Sequence, residues 1–574
     1  MKKLLLVILF LITVSSVFAS TDARYIERDS PLYAEMDALY ALSCLASPNT
    51  NRPWTESQAR LYLSKVDYDS LSDAGKELYK SIEIEIEKGL RWEFDDGFSL
   101  SGGITFSNEI YAHTNSEFDR EEEWVRSWTD REPLIRLWGE VSSGSMFYTA
   151  ADILYRYGRA AMEDNYGLLE DIMTTDGYIG SYHLSDPEKT PYIISSKYFS
   201  EKLATNFFTN TQNFSFIWPR RAVFSFGGER WNVSFSRDRM KLGKSHIGSL
   251  LVDDHSDYTD SIRTTFFNKY FTYDWILLPL NTLTSHSEDP VEESRVYMIH
   301  TLDFRILDKV SLKISENVMW KYSNFDLGYL NPSFFYHNLN NRSMFNALAY
   351  IEVNASLFKG FTLYGQYAMD QARAPHEGDS QSDSWGMSVG GEYTFSLGKS
   401  VFTAYSEYLL TSPLLYRRDG VDFIKVSRYY HQGSDNDTYG HIPFFEYIGY
   451  RYGGDTSTLK TGVTYIYPLM VEAEFSVQLM EHGDMNIYKS HNKEGKNEGN
   501  ANIGGSTPTG DDVLRAIIIS LKGEVDFSSI LAWPGISIYG EADWIGLASF
   551  NKENKEYKDY MSDFQLSLGV SLAI

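Results

Sequence analysis

The chain closes with Phe564-Gln565-Leu566-Ser567-Leu568-Gly569-Val570-Ser571-Leu572-Ala573-Ile574. Every second residue, from Phe564 through Leu566, Leu568, Val570 and Leu572 to Ile574, is large and apolar. The residues between them are polar or small. Side chains of a β-strand point to opposite faces in turn, so this stretch reads as a strand with one greasy face and one small, polar face. About eleven residues suit one tilted crossing of a bilayer. The apolar terminus also resembles the final strand that outer-membrane assembly machinery engages, although Ile574 stands where an aromatic is more usual.

The same period of two recurs upstream. Trp385, Met387, Val389, Gly391, Tyr393 and Phe395 alternate with Gly386, Ser388, Gly390, Glu392, Thr394 and Ser396. Phe361, Leu363, Gly365, Tyr367 and Met369 alternate with Thr362, Tyr364, Gln366 and Asp370. Val471 to Leu479 and Ile536 to Trp544 behave alike, with Glu472, Glu474, Glu541 and Asp543 on the polar face in mid-strand. A soluble sandwich would turn that face to solvent, but strands this long and this many exceed what a sandwich needs. The predicted fold class is therefore all-β: a large antiparallel transmembrane β-barrel preceded by a small N-terminal helical bundle. At roughly ten residues per crossing, the chain from Phe98 onward holds about 16 to 18 strands. A lumen of that width is not filled by wall side chains alone. The polar stretches near 162–197, 420–439 and 486–511 are expected to be outer loops or inward plugs.

Composition narrows the function. The 574 residues are 43% hydrophobic and 15% aromatic, which excludes a disordered chain. A single Cys excludes a disulfide scaffold and Cys-rich metal sites. The mean hydropathy of −0.33, with no apolar run of 18 beyond the first twenty residues, excludes a helical membrane protein. A formal charge of −26 argues against a nucleic-acid partner.

Three domains follow. Lys2 and Lys3, the apolar run Leu4 to Val14 and the small-residue site Val17-Phe18-Ala19 read as a signal peptide over 1–19. Residues 20–92 read as a periplasmic helical head. There Ser30-Pro31 opens a helix that Pro48 and Asn49 end, and Thr55 with Gln58 fits a capping box. Ser72 caps a third helix carrying Leu78, Ile82 and Ile86. Residues 93–574 form the outer-membrane barrel.

Residues 231–262, WNVSFSRDRMKLGKSHIGSLLVDDHSDYTDSI, carry a further signal. Gly243 and the Gly248-Ser249-Leu250-Leu251 block resemble the signature of the Wzi-type capsule-assembly proteins, with Leu242, Lys244, Ser245, Asp254 and His255 departing from it. Leu330-Asn331-Pro332, the LYGQYAMDQ strand at 363–371 and the head segments PLYAEMDALYAL and RPWTESQARLYL resemble further blocks of that family, in its order. The resemblance implies an outer-membrane barrel of about eighteen strands with a helical bundle at the periplasmic end. It also implies non-covalent, lectin-like association with capsular or surface polysaccharide, with no cofactor.

No zinc-protease helix, nucleophile elbow or phosphate-cradling loop occurs in the sequence. His246 and His255 flank the Gly-Ser-Leu-Leu block beside Asp253, and a triad with Ser245 or Ser249 can be drawn, but nothing positions a nucleophile. Glu121, Glu122 and Glu123 beside Trp124 and Trp128 read as a solvated loop rather than a calcium site. Sugar binding needs only aromatic faces and hydroxyl-bonding polar groups. The candidates are Tyr364, Gln366 and Asp370 on a polar face, with Arg237, Arg239, Asp253 and Asp254 near the matched turn. The same residues suit ion pairs that hold strands and loops. The expected partners are outer-membrane lipid, surface polysaccharide and, during biogenesis, the assembly machinery. The alternative function is a porin-type channel for small polar solutes, whose acidic lumen would favour cations.

Overall fold

The computed structural model describes residues 22–87, 92–94, 97–118, 130–157, 178–179, 182–183, 204–207, 214–215, 219–256, 258–280, 294–322, 331, 344–371, 383–418, 421–432, 439–487, 506–528, 530 and 535–574. The expected signal peptide, the Glu121–Glu123 run with its two tryptophans, Leu330 and Pro332 lie outside them, as does most of 162–197 and 486–511.

Eighteen antiparallel strands close into one barrel. Numbered in chain order they are β1 (Phe98–His113), β2 (Ile135–Ser143), β3 (Phe147–Tyr157), β4 (Ala222–Gly228), β5 (Trp231–Asp238), β6 (Thr259–Phe267), β7 (Phe271–Leu280), β8 (Ser294–Ile306) and β9 (Val310–Tyr322). The second half comprises β10 (Met344–Phe358), β11 (Phe361–Gln371), β12 (Ser384–Leu397), β13 (Ser400–Thr411), β14 (Thr456–Tyr467), β15 (Val471–His482), β16 (Asp512–Asp526), β17 (Gly535–Asn551) and β18 (Glu556–Ala573). Each strand pairs with its sequence neighbour, and β18 pairs with β1 to shut the cylinder. Closure leaves no open edge, which a backbone in hydrocarbon requires.

The alternation read from the sequence sets the two faces. On β18, Gln565 and Ser567 are buried, while Leu568 and Val570 are 45% and 50% exposed. The strand runs to eighteen residues, beyond the eleven or so expected, because Glu556 to Asp563 continue the ladder past one crossing. Most long connections gather at one end, which also holds the short turn 552–555, and the other end carries tight turns. Just inside the tight-turn end, outward aromatics form a belt: Phe358 stacks on Phe361 at 4.9 Å, Phe395 on Phe402 at 5.4 Å, and Phe402 lies 5.1 Å from Tyr465. Such girdles mark a membrane interface. On the inward face, Tyr rings lie flat on glycines of the next strand. A Cβ at Gly390 would sit 2.3 Å from the Tyr364 ring, and one at Gly569 2.3 Å from Tyr539.

Three helices, α1 (Leu32–Leu42), α2 (Glu56–Leu63) and α3 (Asp73–Glu87), pack around Trp54, Leu39, Leu78 and Ile82 against the tight-turn end. The Ala46 N–H bonds to the Asp308 carbonyl at 2.9 Å, and the Gly360 N–H to that of Ala41 at 2.8 Å, both at barrel turns. Thr55 and Gln58 close the capping box at the start of α2. The Gly75 N–H reaches the Ser72 hydroxyl at 3.3 Å at the start of α3. The first helix ends before Pro48 and Asn49: it stops at Leu42, and Cys44 turns the chain with a left-handed φ of 56°. The freed segment 43–55 does not stay at the turns but climbs into the lumen. The stretch near 420–439 likewise differs from a plain loop, since Ile424–Gln432 pairs with Tyr439–Tyr447 as a hairpin.

Candidate functional site: the plugged lumen

Two chain segments enter the lumen from the helical end. Tyr25 donates its hydroxyl to Asn232 Oδ1 on β5 at 3.0 Å. Glu27 pairs with Arg136 at 2.7 Å and Arg221 at 3.3 Å. In the returning segment, Asn49 Nδ2 donates to Asp303 at 3.0 Å, the Thr50 hydroxyl to Glu352 at 2.7 Å and Asn51 Nδ2 to Asp274 at 2.8 Å. From the opposite end descends the β5–β6 connection, residues 239–258. The two meet inside the barrel, where Asn51–Arg52 pairs with Lys241–Leu242 as a two-residue sheet. The Gly243 N–H adds a bond to the Thr50 carbonyl at 3.1 Å.

Gly243 has φ 131°, and a Cβ there would lie 2.5 Å from Ser249 Oγ, so the tight turn requires glycine. Beyond it the loop is tied to the wall by charge. Lys244 Nζ donates to Glu392 at 2.5 Å; burial alone would lower its pKa, but Glu392 raises it. The Ser245 hydroxyl donates to Glu407 at 2.6 Å, and the His246 ring stacks on Tyr405 at 3.7 Å. Burial opposes ionisation of Asp254, yet Lys241, Arg28 and Arg239 hold its carboxyl far below the ordinary range. Asp253 is lowered too, by Lys241 and His255 against burial.

Above this polar seam lies an apolar core. Leu250, Leu251, Tyr416, Phe423 and Phe445 from the long connections pack on inward Ile276, Leu278, Ile299, Met319 and Leu348 of β7 to β10. Buried Arg295 of β8 donates to the Ile424 carbonyl at 2.9 Å, pinning the β13–β14 connection across the lumen. Along β14 to β18 the lumen is less filled. Cavities of about 460 and 480 Å³ share Thr464, Glu472, Glu474 and Lys522.

The seven sequence candidates divide accordingly. Tyr364 donates to Glu407 at 3.0 Å. Gln366 accepts from the Leu250 N–H at 2.9 Å and donates to the Lys244 carbonyl at 2.5 Å. Asp253 accepts from the Ser249 N–H at 2.9 Å and sits 3.2 Å from His255 Nδ1. Asp254 takes the Arg28 and Lys241 cations. Asp370 is buried near Asn346 and Arg418. Arg239 faces Asp29 at 3.5 Å and Asp130 at 3.9 Å. Arg237 stands apart on the outer face, paired with Asp260 at 3.6 Å. Six of the seven thus converge on the lumen. Sequence reasoning missed the partners that make the seam: Glu27, Arg28, Asn49 to Asn51, Glu352, Glu392 and Glu407. The mid-strand carboxylates were visible, but their loop partners are more than a hundred residues distant.

No serine is set against a histidine among the described residues of the triad sketch. Ser245 donates to Glu407, and Ser249 Oγ to the Leu242 carbonyl. No group of three potential metal ligands occurs among the described residues.

Fold and lumen define a class, the plugged β-barrel of outer-membrane type. Among solved structures the chain is similar to Wzi, an outer-membrane protein involved in group 1 capsule assembly in Escherichia coli and described as a carbohydrate-binding β-barrel. The match has a TM-score of 0.55 at 12% identity and covers 96% of this chain and 99% of that one. OpdK, an outer-membrane protein from Pseudomonas aeruginosa, matches at TM-score 0.37 and 8% identity over 83% of this chain and 98% of its own. OmpT of Vibrio cholerae matches at 0.30 and 8% over 84% and 99%. No family model and no curated protein matches the sequence. The chain has a Wzi-like barrel fold.

Proposed function

We propose that this protein sits in the outer membrane, with its helical head on the periplasmic side, and holds surface polysaccharide by non-covalent contacts at the opposite mouth. The observation that carries the reading is the seam inside the barrel, where Asn51–Arg52 pairs with Lys241–Leu242 beneath an apolar core. A wall built to bind its own plug turns the barrel from a conduit into a scaffold. Its long connections are then free to serve as a binding surface. The likeness to Wzi, a carbohydrate-binding barrel by its description, supports the same direction. Signal-directed export and insertion by the assembly machinery belong to this reading, and no catalytic step does.

Of the seven candidate contacts, Arg237 is the one to test by substitution, since Arg239 pairs with Asp29 and Asp130 and donates to the Asp254 carbonyl. Gln366, Asp253 and Asp254 spend their polar atoms on the plug, and Tyr364 donates to Glu407 of the wall. The test is a polysaccharide array probed with refolded full-length protein. Saturable binding to an acidic or neutral bacterial surface glycan is expected, weakened about tenfold in an R237A variant by the loss of a charged hydrogen bond. No binding to any glycan, together with large, steady conductance steps in a planar bilayer, would overturn the proposal in favour of a channel.

A further inference from the structure

At the tight-turn end, a cavity of about 730 Å³ opens between the helices and the barrel rim. Glu35, Glu85 and Glu87 line it from α1 and α3, and Glu472, Glu524 and Asp526 from β15 and β16. No Lys or Arg is among the described residues that line it. Between the carboxylates lie apolar surfaces, chiefly Ile84 of α3 and Leu469 and Met470 of the β14–β15 turn.

A ring of acids alone is commonly just solvated. Glu35 is different, because it is 3% exposed and still part of the cavity wall. Its Oε1 accepts the Ser81 hydroxyl at 2.7 Å, and its Oε2, although the Leu469 backbone lies near the carboxylate, has no hydrogen-bond partner in normal geometry. A buried acceptor in that state lacks a donor that an occupant could supply. The donor should be cationic, to suit the surrounding charge, and should carry apolar length, to cover Ile84 and Leu469. A bare divalent ion meets the first need and fails the second, and it requires several oxygens converging within coordination distance.

We propose that this cavity binds a linear polyamine, an organic cation whose ammonium groups are separated by short methylene chains. One terminal ammonium donates to Glu35 Oε2. The methylenes lie along Ile84 and Leu469, and a second ammonium reaches the Glu472 and Glu524 side. Burial pushes the Glu35 carboxyl up to about 8, with Glu85 of α3 and Glu472 of β15 adding to it and the Ser81 hydroxyl and Leu469 backbone offsetting part. At pH 7 the carboxyl therefore holds a proton, which an arriving ammonium displaces.

The experiment is calorimetric titration of the detergent-solubilised full chain with spermidine at pH 7, in two buffers of different ionisation enthalpy. Saturable binding with net release of about one proton is expected, since only a group with its pKa above the working pH carries one to lose. Glu35→Gln keeps the acceptor for Ser81 but cannot ionise. It should abolish the proton release and weaken binding at least about tenfold, the lower range for a charged hydrogen bond. Ile84→Lys, at a half-exposed position, places a competing ammonium in the cavity and should weaken binding similarly. An affinity unchanged in both variants would reveal only the general attraction of a chain with formal charge −26 and overturn the proposal, as would no saturable binding.

Discussion

Glu352 on β10 is where the plug is pinned most densely, so its removal tests whether ion pairs hold the two plug segments together. The carboxylate is 1% exposed and accepts from Thr50 Oγ1 at 2.7 Å, Asn354 Nδ2 at 2.8 Å, Tyr350 Oη at 2.6 Å and the Lys244 N–H at 3.2 Å. Lys313 Nζ lies 3.8 Å away and is equally buried. Thr50 belongs to the segment rising from the helices and Lys244 to the loop descending from the other mouth. Glu352→Ala takes the paired carboxylate from the Lys313 charge, which keeps only neutral acceptors on Thr50 and Asn51, and leaves several donors without their acceptor. Breaking a buried pair by removing one partner costs about 3–5 kcal/mol. Local opening of the seam should then become about a hundred- to several-thousandfold more frequent. Hydrogen–deuterium exchange on the full chain in detergent reads this directly. Amides around residues 48–53 and 240–246 should exchange faster by that factor, while β16 to β18, remote from the seam, stay protected. Glu352→Gln, which keeps an acceptor, should fall between. A change below about threefold at both stretches, with the barrel intact, would refute the idea that this seam is electrostatically latched.

Other outcomes follow from the same geometry. Gly390→Ala puts a Cβ 2.3 Å from the Tyr364 ring and must displace it from Glu407; a loss of about 1–3 kcal/mol in unfolding experiments is expected, as for overpacked cores. Leu568→Arg, on the outward face, should cost about 2–4 kcal/mol if it lies near the bilayer midplane, measured by refolding into liposomes. Glu35 has a folded-state pKa near 8 against an ordinary 4.5, so the folded head holds its proton after the unfolded chain has lost it. Its effect on stability is neutral below about pH 4.5 and increasingly unfavourable as pH rises to 8, reaching a few kcal/mol at most. Thermal melts should therefore show the wild-type head less stable at pH 9 than at pH 5, with that difference reduced in Glu35→Gln.

The faces of the strands were legible because alternation is local: Gln565, Ser567, Leu568 and Val570 fall where their polarity puts them. The capping box of Thr55 and Gln58 was legible for the same reason. What the lumen holds was not, since the pairing of Asn51 with Leu242 joins residues with no shared periodicity. Asn49-Thr50-Asn51 reads locally as the frayed end of a helix. Its real environment is a set of wall carboxylates, Asp303, Glu352 and Asp274, that sequence presents as separate strands. Tyr364, Gln366 and Asp253 were singled out for their polarity on an inward face or turn. The structure explains that polarity by contact with the chain itself.

One asymmetry of the barrel nevertheless bears on plug against pore. A strand between lipid and water must alternate, whereas a strand between lipid and an apolar plug is free to be apolar on both faces. β17 alternates from Ile536 to Trp544, with Glu541 and Asp543 inward, and one of the roomier polar cavities lies along that stretch, while its Ile545 and Leu547 join an apolar cluster around Phe118. β7 instead carries the unbroken run Trp275-Ile276-Leu277-Leu278, with Ile276 and Leu278 packed into the plug core. On β8, Tyr297 and Ile299 face that core, while Val296 and Met298 belong to a separate apolar cluster. If the plug were a transient gate, Ile276, Leu278, Tyr297 and Ile299 would meet water whenever it left. At about 25 cal/mol per Å² of apolar surface, that exposure is a strong restoring force. The wall of β7 to β10 is therefore specified for a resident plug, and the polar space that remains lies along β14 to β18.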